Sequence, residues 1–381
     1  MWVFSLMMFL IIILIGVLSG ITPLIGRQST PFGVTFPPEL LRDQRILTHK
    51  KNYALWNMSL STVLAIPILF IPLLMTDEAA EIWASFYSVA VMIILMIVSF
   101  ALYLSIRKDL LAWKKTLPLE TFEQAKKVVV DLNYHDKLNT ISQGSFFIWQ
   151  LLIIGITVGI AFANYSAIPE QIPINWGPNM EANHYIPKQP LAVLALPVIQ
   201  LLMIPVLQVS YYSFIRSRQK LSPLAPEISS QKSLLFRQAW ARFFFAIAIT
   251  TQLLISSLFL FSLFGAEENF GVMLVLVFAY LIFTIGASFY LSFKYGQAGE
   301  KLKLSADDIE DEQYYFDSEE DKQWIAGVFY YNPEDSAVFV EKRFGIGTTM
   351  NLARWQAWLI VGGLVLFMVA TFIWSFWLGF N

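Results

Sequence analysis

The sequence predicts an all-α membrane protein, an eight-helix transmembrane bundle with a small cytoplasmic β-hairpin module. Three observations predict this fold class. Of the 381 residues, 56% are hydrophobic and 14% are charged, whereas soluble domains average about 45–50% and about 25%. The mean hydropathy is +0.58. The apolar residues are also gathered in eight long stretches, and together these features argue against a soluble enzyme.

Each predicted span is a run of about 20 residues, the length that a helix needs to cross the hydrocarbon core. The runs contain no Asp, Glu, Lys, Arg or His. Because a spanning segment must satisfy its backbone internally, continuous runs of this length suit helices rather than barrel strands. In chain order the predicted spans are Trp2–Leu24, Ala54–Met75, Trp83–Leu104, Phe146–Ala163, Leu191–Tyr211, Phe243–Phe264, Phe270–Leu291 and Trp358–Leu378.

The basic residues predict the orientation of these spans. Loops 25–53, 105–145, 212–242 and 292–357 hold 25 of the 26 Lys and Arg residues, and cytoplasmic loops of membrane proteins are enriched in them. The basic loops alternate with loops that lack bases or hold only Lys188, as threading requires. We therefore expect the basic loops in the cytoplasm and both termini outside.

The span pattern predicts three parts. Residues 1–291 form a seven-helix membrane bundle that includes an outer loop, 164–190. Residues 292–357 form a cytoplasmic acidic linker and a small β-containing module, and 358–378 form the eighth transmembrane helix. The acidic run from Asp307 to Asp321 is interpreted as a solvated linker. After it, two runs with β-forming residues are separated by Asn332-Pro333, which predicts a hairpin.

The outer loop is the most distinctive connection. Its prolines, Gly177 and Trp176 predict a rigid and irregular segment, which could receive a peptide or cap the bundle. The candidate residues for binding a ligand or partner there are Pro173, Asn175, Trp176, Gly177 and Lys188.

The module offers a second candidate surface, on the predicted cytoplasmic side, where a regulatory protein could dock. The pair Lys342-Arg343 with the two following glycines could hold a phosphate, but its spacing matches no known phosphate loop, so a structural turn is favoured. The candidate docking residues are Tyr330, Asn332, Asp335, Lys342 and Arg343.

Two segments resemble known families. Ile168-Pro169, then the run 172–177 (Ile-Pro-Ile-Asn-Trp-Gly), then Lys188 and a new span resemble the membrane domain called domain of unknown function 1648, over about 146–212. That domain occurs in proteins similar to SdpI, an immunity protein against a secreted bacterial killing peptide. The family usually has His where this chain has Asn175.

The segment 324–351, with Gly327-Val-Phe-Tyr-Tyr and Val340-Glu-Lys-Arg-Phe-Gly345, resembles a small C-terminal module of such proteins in Gram-positive bacteria. Pro31-Phe-Gly-Val34 also fits their N-terminal pattern. The resemblance implies a protein of the bacterial plasma membrane. It also implies protection against a secreted peptide outside and sequestration of a repressor at the cytoplasmic face.

The sequence gives no indication of catalysis. It contains no HExxH, GxSxG or Walker A motif, and the predicted spans offer neither His nor carboxylate for an intramembrane protease. We therefore predict no catalytic residue, no metal site and no cofactor, and expect that the protein is not an enzyme. The net charge of −2 provides no general basic surface for nucleic acid, so we expect no nucleic-acid partner. The predicted spans make the lipid bilayer a partner of the protein.

Two functional hypotheses remain open. The first is an SdpI-like immunity or envelope-sensing protein that binds a peptide or partner at its outer loop. The alternative is a permease or lipid-handling membrane protein, with a cavity framed by the second and fifth spans. Prolines interrupt both spans and would kink their helices: Pro67, Pro72, Pro197 and Pro205.

Overall fold

The structure, a computed structural model, confirms the predicted class. The described part of the chain holds eight helices that are long and apolar enough to cross a membrane, together with three short strand pairs. The protein is therefore a multi-pass, all-α membrane bundle with small β elements. The structure describes residues 2–118, 134–176, 182–218, 221, 225–265, 270–304 and 318–380.

The elements follow the predicted spans closely, although several helices are longer than the bilayer requires. In chain order the helices are α1 Trp2–Ile25, α2 Gln44–Ala65, α3 Ile71–Leu74, α4 Asp77–Lys114, α5 Tyr134–Lys137, α6 Gln143–Ala163, α7 Pro190–Val193, α8 Ala195–Arg216, α9 Pro226–Phe264, α10 Phe270–Tyr295 and α11 Trp355–Phe380. The strands are β1 Gln171–Trp176, β2 Ala182–Pro187, β3 Trp324–Ile325, β4 Phe329–Tyr330, β5 Phe339–Glu341 and β6 Thr348–Met350.

Proline shapes the second span as predicted. Helix α2 ends at Ala65, a 3-10 turn covers Ile66–Leu69, and α3 follows. Pro67 and Pro72 each stand in the first two positions of their short helices, where a missing N–H costs no hydrogen bond. In the fifth span, by contrast, Pro205 lies inside the continuous helix α8.

The chain divides into two compact units, each assembled from three segments. Unit 1 comprises Met1–Leu132, Arg218–Ser233 and Ser292–Leu352, and unit 2 comprises Asn133–Ser217, Leu234–Leu291 and Ala353–Asn381. The three-part division predicted from the sequence rests on the alternation of spans and loops, and it stays a prediction.

In unit 1, α1 and α2 are in close contact through small residues. A methyl group added at Gly16 would overlap the side chain of Ser61, and one at Gly20 would lie 3.0 Å from the carbonyl oxygen of Ala54. Small residues at this spacing allow two backbones to approach closely. This GxxxG pair therefore serves packing inside the bundle.

The module in unit 1 contains β strands, but its pairing differs from the predicted single hairpin. Strand β3 pairs with β4 through a turn at Ala326 and Gly327, and β5 pairs with β6. Both turn residues have positive φ values, a conformation that glycine adopts at little cost. The first β-prone run thus folds back on itself, and the second pairs with residues beyond the two glycines.

In unit 2, buried amides and hydroxyls join α6, α8 and α9 at membrane depth. The Gln200 side-chain amide donates to the Gln252 carbonyl oxygen (3.0 Å) and to Ser256 Oγ (3.1 Å). Ser256 Oγ in turn lies 2.8 Å from the hydroxyl of Thr157. Polar side chains commonly link transmembrane helices in this way, so these residues hold the bundle together.

Candidate functional site

The predicted outer loop contains a β-hairpin, and the expectation of an irregular segment was wrong. Strands β1 and β2 are antiparallel, with Ile172 opposite Ile186 and a register irregularity after Pro173. Proline in a run usually argues against a strand, but an irregular register or an edge position tolerates its missing N–H. The β1–β2 hairpin therefore forms despite Pro173.

One face of the hairpin is anchored in unit 2. Ile172 and Ile186 are both buried, and they pack in a cluster with residues of α6, α7 and α9 that includes Phe259 and Leu263. Ser262 Oγ also donates a 2.8 Å hydrogen bond to the Pro173 carbonyl oxygen. These contacts fix the base of the hairpin on the ends of the membrane helices.

Lys188, which follows β2, connects the two ends of the hairpin through contacts with residues that precede β1. Its ammonium donates to the carbonyl oxygen of Ile168 (2.8 Å) and lies 5.0 Å from the centre of the Tyr165 ring. It also pairs with Glu170 at 3.5 Å, although that carboxylate is 90% exposed. Since only 10% of the Lys188 side chain is exposed, the geometry gives this predicted binding residue a supporting position.

Two apolar side chains of the hairpin are exposed, Ile174 and Tyr185, and we call the surface that they form its open face. Ile174 and Tyr185 are 37% and 43% exposed, and an exposed Tyr is a residue type enriched in protein interfaces. Of the other predicted residues, Asn175 and Trp176 belong to β1 by their backbone, and Gly177 lies outside the described residues. The structure thus brings Pro173, Asn175 and Trp176 into one strand.

Unit 1 holds a second candidate site, a cluster of buried charges around the module. Arg27 lies between two carboxylates, with Nε 3.2 Å from Glu300 and Nη2 2.9 Å from Glu341. Glu300 accepts further hydrogen bonds from the Gln28 backbone N–H and the Ser29 hydroxyl. Burial raises the pKa of Glu300 above its ordinary value, against the attraction of Arg27.

Arg343 is the centre of the same cluster and is almost completely buried. Its guanidinium lies 2.6 Å from Asp321, and it also contacts the Thr35 hydroxyl. Asp321 pairs in addition with Lys114 at 2.8 Å. Burial alone would raise the pKa of Asp321, but the cations of Arg343 and Lys114 hold it below its ordinary value.

Arg218 extends the cluster toward the turn after β4. It lies 2.6 Å from Asp335 and 3.3 Å from Glu320, and Glu320 also lies 3.8 Å from Arg343. The Tyr330 hydroxyl donates a 2.9 Å hydrogen bond to Asp335. We call the set of Arg27, Lys114, Arg218, Glu300, Glu320, Asp321, Asp335, Glu341 and Arg343 the ionic clasp.

Two of the five predicted docking residues, Asp335 and Arg343, belong to the ionic clasp. Tyr330 contacts it through the hydrogen bond to Asp335, and the Asn332 amide donates to the Tyr330 hydroxyl at 3.2 Å. Lys342, in contrast, is exposed. A docking role for these residues stays a prediction, and the structure adds that four of the five hold the module together.

Sequence reasoning missed two carboxylates of the ionic clasp, Glu320 and Asp321. Glu320 and Asp321 end the acidic run that was interpreted as a solvated linker, yet both side chains are about nine-tenths buried. They are buried because Arg218, Arg343 and Lys114 neutralise them from distant parts of the chain. The earlier part of the acidic run, 307–317, lies outside the described residues.

No metal centre is present in the part of the chain that the structure describes, since no group of three or more His, Asp or Glu side chains there could hold an ion. The carboxylates of the ionic clasp face cations of the protein itself. The arrangement is therefore suited to fastening segments together.

Comparisons with known proteins identify two short regions. Residues 152–201 match the model of a domain of unknown function, DUF1648. The chain is similar to that family over its hairpin unit. The match runs from α6 through the β1–β2 hairpin into α8, inside the region where the sequence resemblance placed it.

Residues 333–358 match a second model, a family of unknown function named DUF5808. This region runs from the turn after β4 through β5 and β6 to the start of α11, and it contains Asp335, Glu341 and Arg343 of the ionic clasp. No curated protein and no solved structure matches the chain significantly. Neither of the two family matches favours the alternative of a permease or lipid-handling protein.

Proposed function

We propose that the protein is an SdpI-like immunity or envelope-sensing protein of a bacterial plasma membrane, which binds a peptide or partner protein at the β1–β2 hairpin. The observation that carries the proposal is the DUF1648 match over 152–201, because it spans the whole hairpin together with α7 and parts of the flanking helices α6 and α8. The protein acts by binding, without catalysing a reaction.

The shape of the hairpin supports recognition of a peptide. Its buried face, with Ile172 and Ile186, and the Lys188 contacts hold the backbone in place, so little conformational entropy is lost on binding. The open face offers Ile174 and Tyr185 for apolar contact. Each strand of a two-stranded sheet also has an unpaired edge, to which an extended peptide could add as a further strand.

The same proposal places the hairpin outside the cell and the module in the cytoplasm, with both termini outside. The distribution of Lys and Arg supports this orientation. The chain contains no Cys, so single cysteines can report it without background. A membrane-impermeant maleimide applied to intact cells should label Tyr185→Cys and leave Glu334→Cys unlabelled until the cells are opened, and the reverse pattern would contradict the orientation.

On the cytoplasmic side we propose that the module docks a regulatory protein. The exposed Lys342 and the half-buried Asn332 are the candidate residues whose side chains remain accessible there. The ionic clasp ties the module to the spans of unit 1 through Lys114 of α4 and Arg27 after α1. A partner bound to the module would therefore be held directly against the membrane helices.

A survival assay tests the proposed function. Sensitive bacteria that express the protein are challenged with secreted killing peptides, and we expect the wild type to protect them. The double variant Ile174→Ala/Tyr185→Ala should lose protection by about tenfold or more, a change equivalent to ~1.4 kcal/mol of binding free energy. Leu191→Ala, at a similarly exposed apolar position in α7, is the matched control and should protect like the wild type.

Membrane levels of all variants are compared by immunoblot, so that loss of protein is not mistaken for loss of binding. The proposal would be contradicted if the double variant protected as well as Leu191→Ala. It would also be contradicted if no killing peptide or envelope stress distinguished cells with the protein from cells without it.

A further inference from the structure

Unit 1 contains a groove that the proposed function does not use. It lies between α1 and α4, with Ile15 and Ser19 on one wall and Met92 and Met96 on the other, and its volume is about 440 Å³. Cavities of about 300–1,000 Å³ are typical of sites for small organic ligands. The groove is therefore large enough to hold a ligand and not only a few water molecules.

The length of the groove matches one leaflet of a bilayer. On α4 its lining runs from Met92 to Tyr103, and at about 1.5 Å per residue these eleven steps cover ~16 Å. Half of the ~30 Å hydrocarbon core is ~15 Å. Tyr103 marks the end near the basic residues, since Arg107 and Lys108 follow it on the same helix. The groove thus extends from the membrane surface on the basic side to the region of the midplane.

The groove opens onto the lipid-facing surface of the helices. Met96 and Phe100 line it, yet they are 67% and 41% exposed. Ile93 and Ile97 beside them on α4 are also exposed, as lipid-facing residues of a spanning helix are. The groove is therefore continuous with the surface that contacts the bilayer, and the molecules that reach it are lipids.

Its chemistry is suited to a hydrocarbon chain. The Tyr53 hydroxyl lies 2.7 Å from Ser99 Oγ, and the Tyr103 hydroxyl donates to the Ala326 carbonyl oxygen at 3.0 Å. Because these polar lining groups are satisfied within the protein, an apolar chain can enter without leaving them unpaired. The remaining lining is mostly apolar, with two aliphatic, two Met and two Phe side chains beside Ser19 and Thr22, and Met adapts readily to flexible ligands.

The module closes the end of the groove near Tyr103. Phe344 and Val328 line it there, and the Phe344 ring packs 4.5 Å from the ring of Tyr103 and 5.7 Å from that of Phe32. Ile325 and Phe329, on either side of the turn that carries Val328, are 57% and 50% exposed. A chain in the groove would therefore touch both the spans and the module.

We propose that this groove binds one acyl chain of a membrane phospholipid from the leaflet on the side of the basic loops. The bound chain fills the space between α1 and α4 and contacts Phe344 and Val328. It thereby stabilises the packing of the module against the membrane helices of unit 1, so that the module is fastened by a lipid as well as by the ionic clasp.

Native mass spectrometry of the full chain, released from membranes in a mild detergent, tests the proposal. Ser19→Phe fills the groove from α1, and Leu18→Phe adds the same ring at the adjacent exposed position, which does not line the groove. We expect one phospholipid per chain on the wild type and on Leu18→Phe. Occupancy on Ser19→Phe should fall by about tenfold.

A second measurement keeps the proposal testable if Ser19→Phe fails to fold. Wild-type protein is reconstituted in vesicles that contain a phospholipid with a photoreactive group on its acyl chain, and the labelled residues are mapped by peptide mass spectrometry. We expect labelling at Met92 and Met96 to exceed labelling at Ile93 and Ile97 clearly. Uniform labelling along α4, equal phospholipid occupancy in all three proteins, or retention of only detergent or free fatty acid would overturn the proposal.

Discussion

Arg27 and Glu341 are 314 positions apart in the chain, yet their side chains form a buried ion pair of 2.9 Å. The pair joins the first loop after α1 to strand β5 of the module. A second carboxylate, Glu300, shares the same guanidinium. Because each of these charges has lost most of its contact with water, both carboxylates depend on the one guanidinium for their compensation.

Removal of Arg27 should therefore destabilise unit 1 strongly. Arg27→Met keeps much of the side-chain volume but leaves Glu300 and Glu341 without their shared cation. Breaking a buried ion pair from one side costs about 3–5 kcal/mol, and we expect a loss of that order in the free energy of unfolding. Denaturant titration of the purified protein in micelles measures it.

Lys342→Met is the control for Arg27→Met, because it removes one positive charge from an exposed position of the same module. Surface substitutions of this kind usually change stability by about 0.5 kcal/mol or less. If the two substitutions lowered the free energy of unfolding equally, the buried ion pairs of Arg27 would contribute no more to stability than one positive charge on the surface of the module.

Asp321 should make stability depend on pH. The Arg343 and Lys114 cations hold its pKa below the ordinary value of 3.8, so its contribution is fully present above that value. It is lost as the pH falls from 3.8 through the lower pKa of the folded state. Asp321→Asn lacks this titration, so the stability difference from the wild type should be constant from about pH 7 to about pH 5 and shrink below about pH 4.

Thermal unfolding across that pH range checks the Asp321 prediction. Glu334→Gln, at an exposed carboxyl in the same module, corrects for the loss of one negative charge. A difference between wild type and Asp321→Asn that persists unchanged at the lowest pH would mean that ionised Asp321 does not stabilise the fold.

Gly327 should not tolerate a side chain. It has φ +74°, and an added methyl group would overlap the Tyr103 hydroxyl and the Arg107 guanidinium. Gly347 has φ +115° with no neighbour within 4 Å of such a methyl group. Gly347→Ala should therefore cost only the backbone strain of about 1–2 kcal/mol, and Gly327→Ala about 1–3 kcal/mol more from overpacking.

Melting temperatures of the two alanine variants measure this difference, with the wild type as reference. If both glycine substitutions lowered stability equally, the close approach of the β3–β4 turn to α4 would be refuted, and backbone conformation alone would explain the effect.

Lys188 should matter far more to the hairpin than its exposed partner does. Lys188→Met removes the hydrogen bond to Ile168 and the contact with the Tyr165 ring, so amide hydrogens of β1 and β2 should exchange about tenfold faster or more. Glu170→Gln removes an ion pair with a 90% exposed carboxylate, which is worth ~1 kcal/mol or less. Hydrogen exchange with mass spectrometry compares the two variants. Equal exchange rates of β1 and β2 in both would argue against a stabilising role of the Lys188 contacts.

Composition and the distribution of apolar residues were sufficient to predict the bundle. Each of the eight predicted spans overlaps a helix that is long and apolar enough to cross a membrane, because the bilayer imposes a length and a polarity on each segment separately. The sequence also predicted the break of the second span at Pro67, because the effect of proline on a helix is local.

What the sequence could not indicate depends on partners far along the chain. Asp321 lies in an acidic run that resembles a solvated linker, and only the approach of Lys114 and Arg343 makes its burial favourable. The hairpin was missed because Pro173 interrupts β1, and its strands depend on packing against Phe259 and Leu263 of α9. Neither relationship leaves a periodic pattern in the sequence.

The central claim is that the open face of the β1–β2 hairpin receives a peptide outside the cell. The most direct measurement places a photoreactive amino acid at Tyr185 in living cells, with the same group at Trp56, an exposed position on membrane helix α2, as the control. We predict that a secreted peptide is captured at position 185 and not at position 56. Well-expressed protein that captures no peptide at 185, or equal amounts at both positions, would contradict the claim.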